Sequence, residues 1–224
     1  MSAHDGQIST RIMIRPLGSG LPLGFFSFAV GMLMLAAQGI GWIPPSSYHM
    51  AGLMLITFVA PLEFTGAIVA FFARDTIGAT TLGVFSGSWF ASGWALYAGA
   101  PGSVSPAFGF FLAGFGTVVF MLCIVSAPAK PLFAVILFGS TARMGWDSAY
   151  QLTSQHWLLV AAGWTAFALF LIAIYGGLAL ALEDIQREEV LPVFRRGAAR
   201  QALEGSLEDQ LARIESDPGV RQQL

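Results

Sequence analysis

The chain has 224 residues, 55% of them hydrophobic and 11% charged, with a formal net charge of −2. A soluble domain carries roughly 25% charged residues, yet only six lie between positions 17 and 182: Glu63, Arg74, Asp75, Lys130, Arg143 and Asp147. That scarcity excludes a water-facing fold and suits lipid, where each centred charge costs about 2.5–3.5 kcal/mol or more.

A spanning helix needs about 20 largely apolar residues. In chain order, six segments meet this, near residues 23–43, 49–72, 77–98, 106–127, 131–150 and 157–182. The breaks between them carry turn chemistry: Pro44-Pro45-Ser46-Ser47, Arg74-Asp75, the stretch from Gly99 to Pro106, and Pro128-Ala129-Lys130-Pro131. The fifth segment is the most polar, because Arg143 and Asp147 fall within it. Short loops make consecutive helices antiparallel neighbours. Residues 1–16 form an N-terminal segment before the bundle, and residues 183–224 form a charged tail. In that tail Leu203, Leu207, Leu211 and Ile214 recur at helical spacing, which predicts an amphipathic helix. The first apolar run is long enough to span and lacks a small-residue cleavage site, so the N-terminus reads as no cleaved signal.

Positive charge orients the bundle. Arg11 and Arg15 precede the first span, Arg74 follows the second, Lys130 follows the fourth, and Arg187, Arg195 and Arg196 follow the sixth. The loops after the first, third and fifth spans hold no Lys or Arg. The expected architecture is therefore all-α: a polytopic six-transmembrane-helix bundle with both termini cytoplasmic. Trp42, Tyr48, Tyr97, Trp146, Tyr150 and Trp157 fall near the opposite face, as an interfacial aromatic belt does. The 26 glycines suit close helix approach in lipid. Gly109 with Ala113, and Ala173 with Gly177, have small-xxx-small spacing, for packing within one bundle or between protomers.

Glu63 is the most informative single residue. It lies about ten residues from the inner end of the second span, roughly 15 Å deep at 1.5 Å per residue. Intramembrane ionisable groups face a cavity, a partner or a pathway, so Glu63 reads either as a pore-lining or proton-handling group or as a paired structural one. Arg143 is about as deep on the fifth span. It has two candidate partners: Glu63 across the bundle, and Asp147 four residues on along its own helix face. Pro61, two residues before Glu63, removes a backbone hydrogen bond and predicts a kink. Ser86 and Ser88 have distant His49 and His156 as possible bases, but the Gly-x-Ser-Gly of an intramembrane protease is absent, and the serines read as packing residues. No cluster has metal-ligand spacing, no phosphate loop or basic patch for nucleic acid occurs, and lone Cys123 can form no internal disulfide. The chain reads as no enzyme, with no catalytic residue and no cofactor.

Two motifs carry a family resemblance. The first span opens Gly20-Leu21-Pro22-Leu23-Gly24-Phe25-Phe26-Ser27-Phe28, and the third opens Asp75-Thr76-Ile77-Gly78-Ala79-Thr80 and continues to Phe85 and Trp89. In Pro22, Leu23 and Gly24 the first is similar to the Asn-Pro-Ala-Pro-Leu-Gly-Leu signature of the acetate uptake transporter (succinate–acetate permease) family. In Thr76, Gly78 and Trp89 the second resembles that family's Asn-Thr-Phe-Gly-x-Thr stretch. The chain departs from the pattern at Ser19 and Gly20, and Glu63 stands where Gln is common.

The resemblance implies a six-helix protomer that assembles as a hexamer, each protomer holding a pore for acetate and similar small monocarboxylates with proton-linked uptake. It implies a hydrophobic constriction at Phe28 and Phe85, with Leu137 as its third member. The implied setting is a plasma membrane, such as a bacterial inner membrane. Glu63 and Arg143 are then the polar or proton-handling residues of the pathway. Two other functions stay open at the level of sequence: a urea or short-amide channel, and a non-transporting membrane sensor or scaffold acting through the tail.

Overall fold

The computed structural model describes residues 18–186, 188–197, 199 and 200. Arg11, Arg15, Arg187 and the tail repeat from Leu203 to Ile214 lie outside the described residues. Six long helices form: Leu21–Ile40, Pro45–Phe72, Thr76–Ala98, Pro106–Ser126, Pro131–Thr153 and His156–Gln186. No strand occurs among the described residues. The first, second, fourth and sixth helices are long and apolar enough to cross a membrane. The third and fifth are as long, at 23 residues each, but more polar. Serines, threonines and glycines dilute the third, and the Arg143–Asp147 stretch dilutes the fifth.

The helices close into a ring. The first packs along the sixth, the sixth on the fifth, the fifth on the fourth, the third on the second, and the second on the first; third and fourth touch least. Two glycine crossings set the closest approaches. A Cβ on Gly39 would lie 2.8 Å from the Cα of Gly163, and one on Gly52 would lie 2.4 Å from the carbonyl oxygen of Gly93. Only glycine lets these backbones meet. The small-xxx-small glycines also pack inside the chain, Gly109 against Gln151 and Leu152, Gly177 against Phe26.

Helix ends differ from the sequence expectation by a few residues, each for a local reason. The first helix stops at Ile40 because Gly41 adopts φ 82°, and the backbone N–H groups of Gly41 and Trp42 turn back to the last turn's carbonyls. The second begins at Pro45 rather than near 49, through a short 3₁₀ turn. Pro61 produces no helix break. The turn before it, Leu55–Val59, widens into a π-helix, where the preceding carbonyls need neither the donor that proline lacks nor the space its ring fills. Asp75 caps the third helix, its Oδ1 accepting from the Gly78 N–H at 3.0 Å, and Ser105 caps the fourth. The fifth helix runs to Thr153, three residues past expectation, and ends where Ser154 turns left-handed at φ 58°.

The sixth helix passes the expected boundary at 182 and continues to Gln186. Buried Glu183 is what the sequence reading assigned to the solvated tail. It is held by Arg195 at 2.6 Å, because residues 188–197 fold back under the bundle. The backbone N–H of Arg196 donates to the Ala129 carbonyl at 3.0 Å, Tyr175 Oη donates to the Pro192 carbonyl at 2.9 Å, and Val193 is buried. At the same end Lys130 and Asp75 form an ion pair of 2.6 Å, tying two loops. At the other end Trp42, Tyr97, Trp146 and Trp157 are exposed.

Candidate functional site

The ring's centre is filled by aromatic side chains. Phe28 of the first helix meets Phe85 edge to face at 5.4 Å and Trp89 at 5.9 Å. Phe85 meets Phe115 of the fourth helix in the same way at 5.3 Å. All four rings are buried. The third helix presents Phe85 and Trp89 together because they are four residues apart, one turn along one face. Edge-to-face contacts suit the quadrupoles of the rings and lock them in place. The result is a dry, close-packed plug.

Beside the plug lies a small cavity. It is lined by Met32, Phe85, Ser88, Trp89, Ser92, Leu112, Phe115, Arg143 and Met144, and has room for about one water. Most of its lining is apolar; Ser88 and Ser92 of the third helix and Arg143 of the fifth are its polar members. Ser88 Oγ donates to the Phe85 carbonyl within its own helix.

Glu63 is wholly buried and does not line this cavity. Its Oε1 accepts from Trp89 Nε1 at 2.8 Å, and its Oε2 has no partner among the described residues. Trp89 therefore stands between them, lining the cavity and holding Glu63 by its N–H. Two residues of the same face extend this junction: Ser86 Oγ donates to the Ala60 carbonyl at 2.8 Å, joining third helix to second.

Arg143 does not pair with Glu63. Its Nη2 donates to Asp147 Oδ2 at 2.9 Å, the local i, i+4 partner, and both side chains are buried. The two candidate partners were equal on spacing; in the fold Arg143 meets the near one, and Glu63 meets Trp89. Asp147 Oδ1 accepts from Gln151 Nε2 at 3.4 Å, and Gln151 Oε1 accepts from the Ser105 N–H at 2.9 Å. A polar ladder thus descends the fifth helix from an exposed loop to the cavity wall.

The structure brings Phe28, Phe85, Trp89 and Glu63 into one junction and puts Arg143 in the lining of the cavity beside it. Leu137 is fully buried in the same core on the fifth helix but does not line the cavity. Pro22 and Leu23 sit in the first turn of the first helix, with Gly24 packed so close to Leu82 that a Cβ would clash. Thr76 and Gly78 open the third helix, where the Gly78 N–H completes the Asp75 cap. Sequence reasoning missed Phe115, Ser88 and Ser92 as cavity residues. Their signal was faint: Ser88 and Ser92 are four apart on the Phe85–Trp89 helix, but two serines at that spacing are common packing residues.

No protein-family model matches the sequence, and no curated protein matches it. The structure is similar to the solved structure of the bacterial acetate channel SatP, with a TM-score of 0.71 and 17% identity over 79% of this chain and 99% of that chain. The likeness shows the fold, and it agrees with the resemblance drawn from the first and third helices. The chain is a multi-pass membrane protein.

Proposed function

We propose that this chain is a membrane channel or transporter for acetate and similar small monocarboxylates, with proton-linked uptake through a pore in each protomer. The observation that carries this reading is the aromatic plug of Phe28, Phe85 and Trp89, set inside a six-helix ring beside an Arg143-lined cavity of about the width of one water. A dry constriction of this kind gates by dewetting. A small acid or its anion passes when the rings part, and larger polar solutes are refused. Phe28 and Phe85 form the constriction, Leu137 backs it, and Glu63 and Arg143 are its polar neighbours. Both termini face the cytoplasm, by the distribution of Arg and Lys, and the protomers form a hexamer in a plasma membrane.

The test is uptake of labelled acetate into proteoliposomes, with and without an inward proton gradient. Saturable uptake that the gradient stimulates supports the reading. Uptake no greater than in empty liposomes, with the protein inserted and folded, removes acetate as the solute.

A further inference from the structure

Arg143 has more donors than its protein partners use. A guanidinium offers five N–H donors in a planar fork. Among the described residues Arg143 makes one hydrogen bond, through Nη2 to Asp147, and its Nε is buried with no partner. The side chain is more than nine-tenths buried and lines the cavity. Leaving such a donor unsatisfied is costly, whereas a carboxylate admitted when the rings part and set against the free edge of the fork satisfies it. Asp147 lies outside the cavity lining and keeps both of its oxygens engaged, one by Arg143 and one by Gln151.

We propose that Arg143 is the residue that distinguishes a carboxylate from a neutral solute, taking the carboxylate on the donors that Asp147 leaves free, while Asp147 weakens that hold enough for release. This rests on the reading of the chain as a conduit for small carboxylates. The division of labour follows from charge. A bare buried guanidinium would hold an anion too long for passage, because conduction needs binding that is favourable on entry yet weak enough to leave. A guanidinium already neutralised at one edge attracts the incoming carboxylate through hydrogen bonds more than through net charge. Ser88 and Ser92, which also line the cavity, accept from or donate to either solute, so they do not discriminate.

The experiment compares labelled acetate with labelled acetamide, a neutral solute of the same shape, in proteoliposomes bearing wild type, R143Q, D147N and R143Q/D147N. Wild type favours acetate. R143Q lowers the acetate-to-acetamide ratio about tenfold, the worth of one charge-assisted hydrogen bond. D147N lowers the acetate KM and the maximal rate together, since release becomes slow. R143Q/D147N removes both charges at once and leaves no lone buried ion, so it reports the same lost ratio even where a single variant fails to fold. Wild-type acetate uptake with an unchanged ratio in R143Q or in the double variant overturns this assignment alone. No acetate uptake by wild type overturns the functional reading and this inference with it.

Discussion

Trp89 and Glu63 are joined by one hydrogen bond, indole N–H to carboxyl oxygen at 2.8 Å, and it links the aromatic plug to a carboxyl group that forms no ion pair among the described residues. The indole meets Phe28 edge to face and lines the cavity, while its nitrogen anchors the second helix. Mutating either end therefore separates structural from transport roles.

Trp89→Phe keeps the ring and removes the donor. Glu63 then has neither oxygen paired, and a buried group left unsatisfied costs about 1–3 kcal/mol. The expected outcome is a lower Tm in detergent. Glu63→Gln retains an acceptor for the indole and should stay within about 1 kcal/mol of wild type. Thermal melts of the two variants, with Glu63→Gln as labile as Trp89→Phe, would contradict the account of this bond.

Glu63→Gln also tests proton handling. If the carboxyl carries the proton linkage, the variant still takes up acetate without a gradient but loses gradient stimulation. Stimulation equal to wild type assigns Glu63 a structural role only. The comparison uses rates at matched protein insertion, so folding and linkage are read separately.

Phe85→Ala opens the plug. Removing a buried aromatic ring costs about 3–5 kcal/mol, and the ring's loss also widens the constriction. The variant should pass longer monocarboxylates, such as butyrate, at a rate approaching that of acetate, where wild type prefers acetate. An unchanged acetate-to-butyrate ratio in a folded Phe85→Ala protein removes Phe85 from the constriction.

Asp75 has two duties and Lys130 one, which gives a ranked prediction. Their ion pair is about a quarter exposed at each end and is worth about 0–1 kcal/mol. The Asp75 cap on the third helix adds about 0.5–2 kcal/mol. Asp75→Ala should therefore destabilise more than Lys130→Gln, while Asp75→Asn, which keeps the cap, should match Lys130→Gln. Chemical denaturation of the three in detergent measures the order.

Gly39→Leu tests the ring itself. The first and sixth helices touch at Gly39 and Gly163 with no space for a side chain, so a leucine there pries apart the longest seam in the bundle. The expected result is loss of a monodisperse species on size exclusion. Gly87→Ala, at a position where an added Cβ meets nothing, should leave it intact.

Much of the fold was legible in the sequence. Lipid admits few charges and demands internally satisfied backbones, so charge scarcity and apolar run length alone marked six helices within a few residues. The errors at their ends were errors of local chemistry. Gly41 stopped a helix early, and Ser154 let one run late. Pro61, where a kink was expected, follows a π-helical turn at Leu55–Val59. Glu183 looked solvated because its partner, Arg195, lies twelve residues on and meets it only after the chain folds back.

The sequence by itself determined the medium, the helix count and the residues worth asking about, because each of these depends on composition and local spacing. Which of those residues meet was decided by tertiary structure. Depth made Glu63 and Arg143 plausible partners, but depth along a helix says nothing of the direction a side chain takes around it. The ring's closure turned Glu63 toward the Trp89 indole and left Arg143 to Asp147 and the cavity. Helix rotation is fixed by packing across the whole bundle, above all by glycines such as Gly39 and Gly163 that set how near two axes come, and no short window of sequence carries that information.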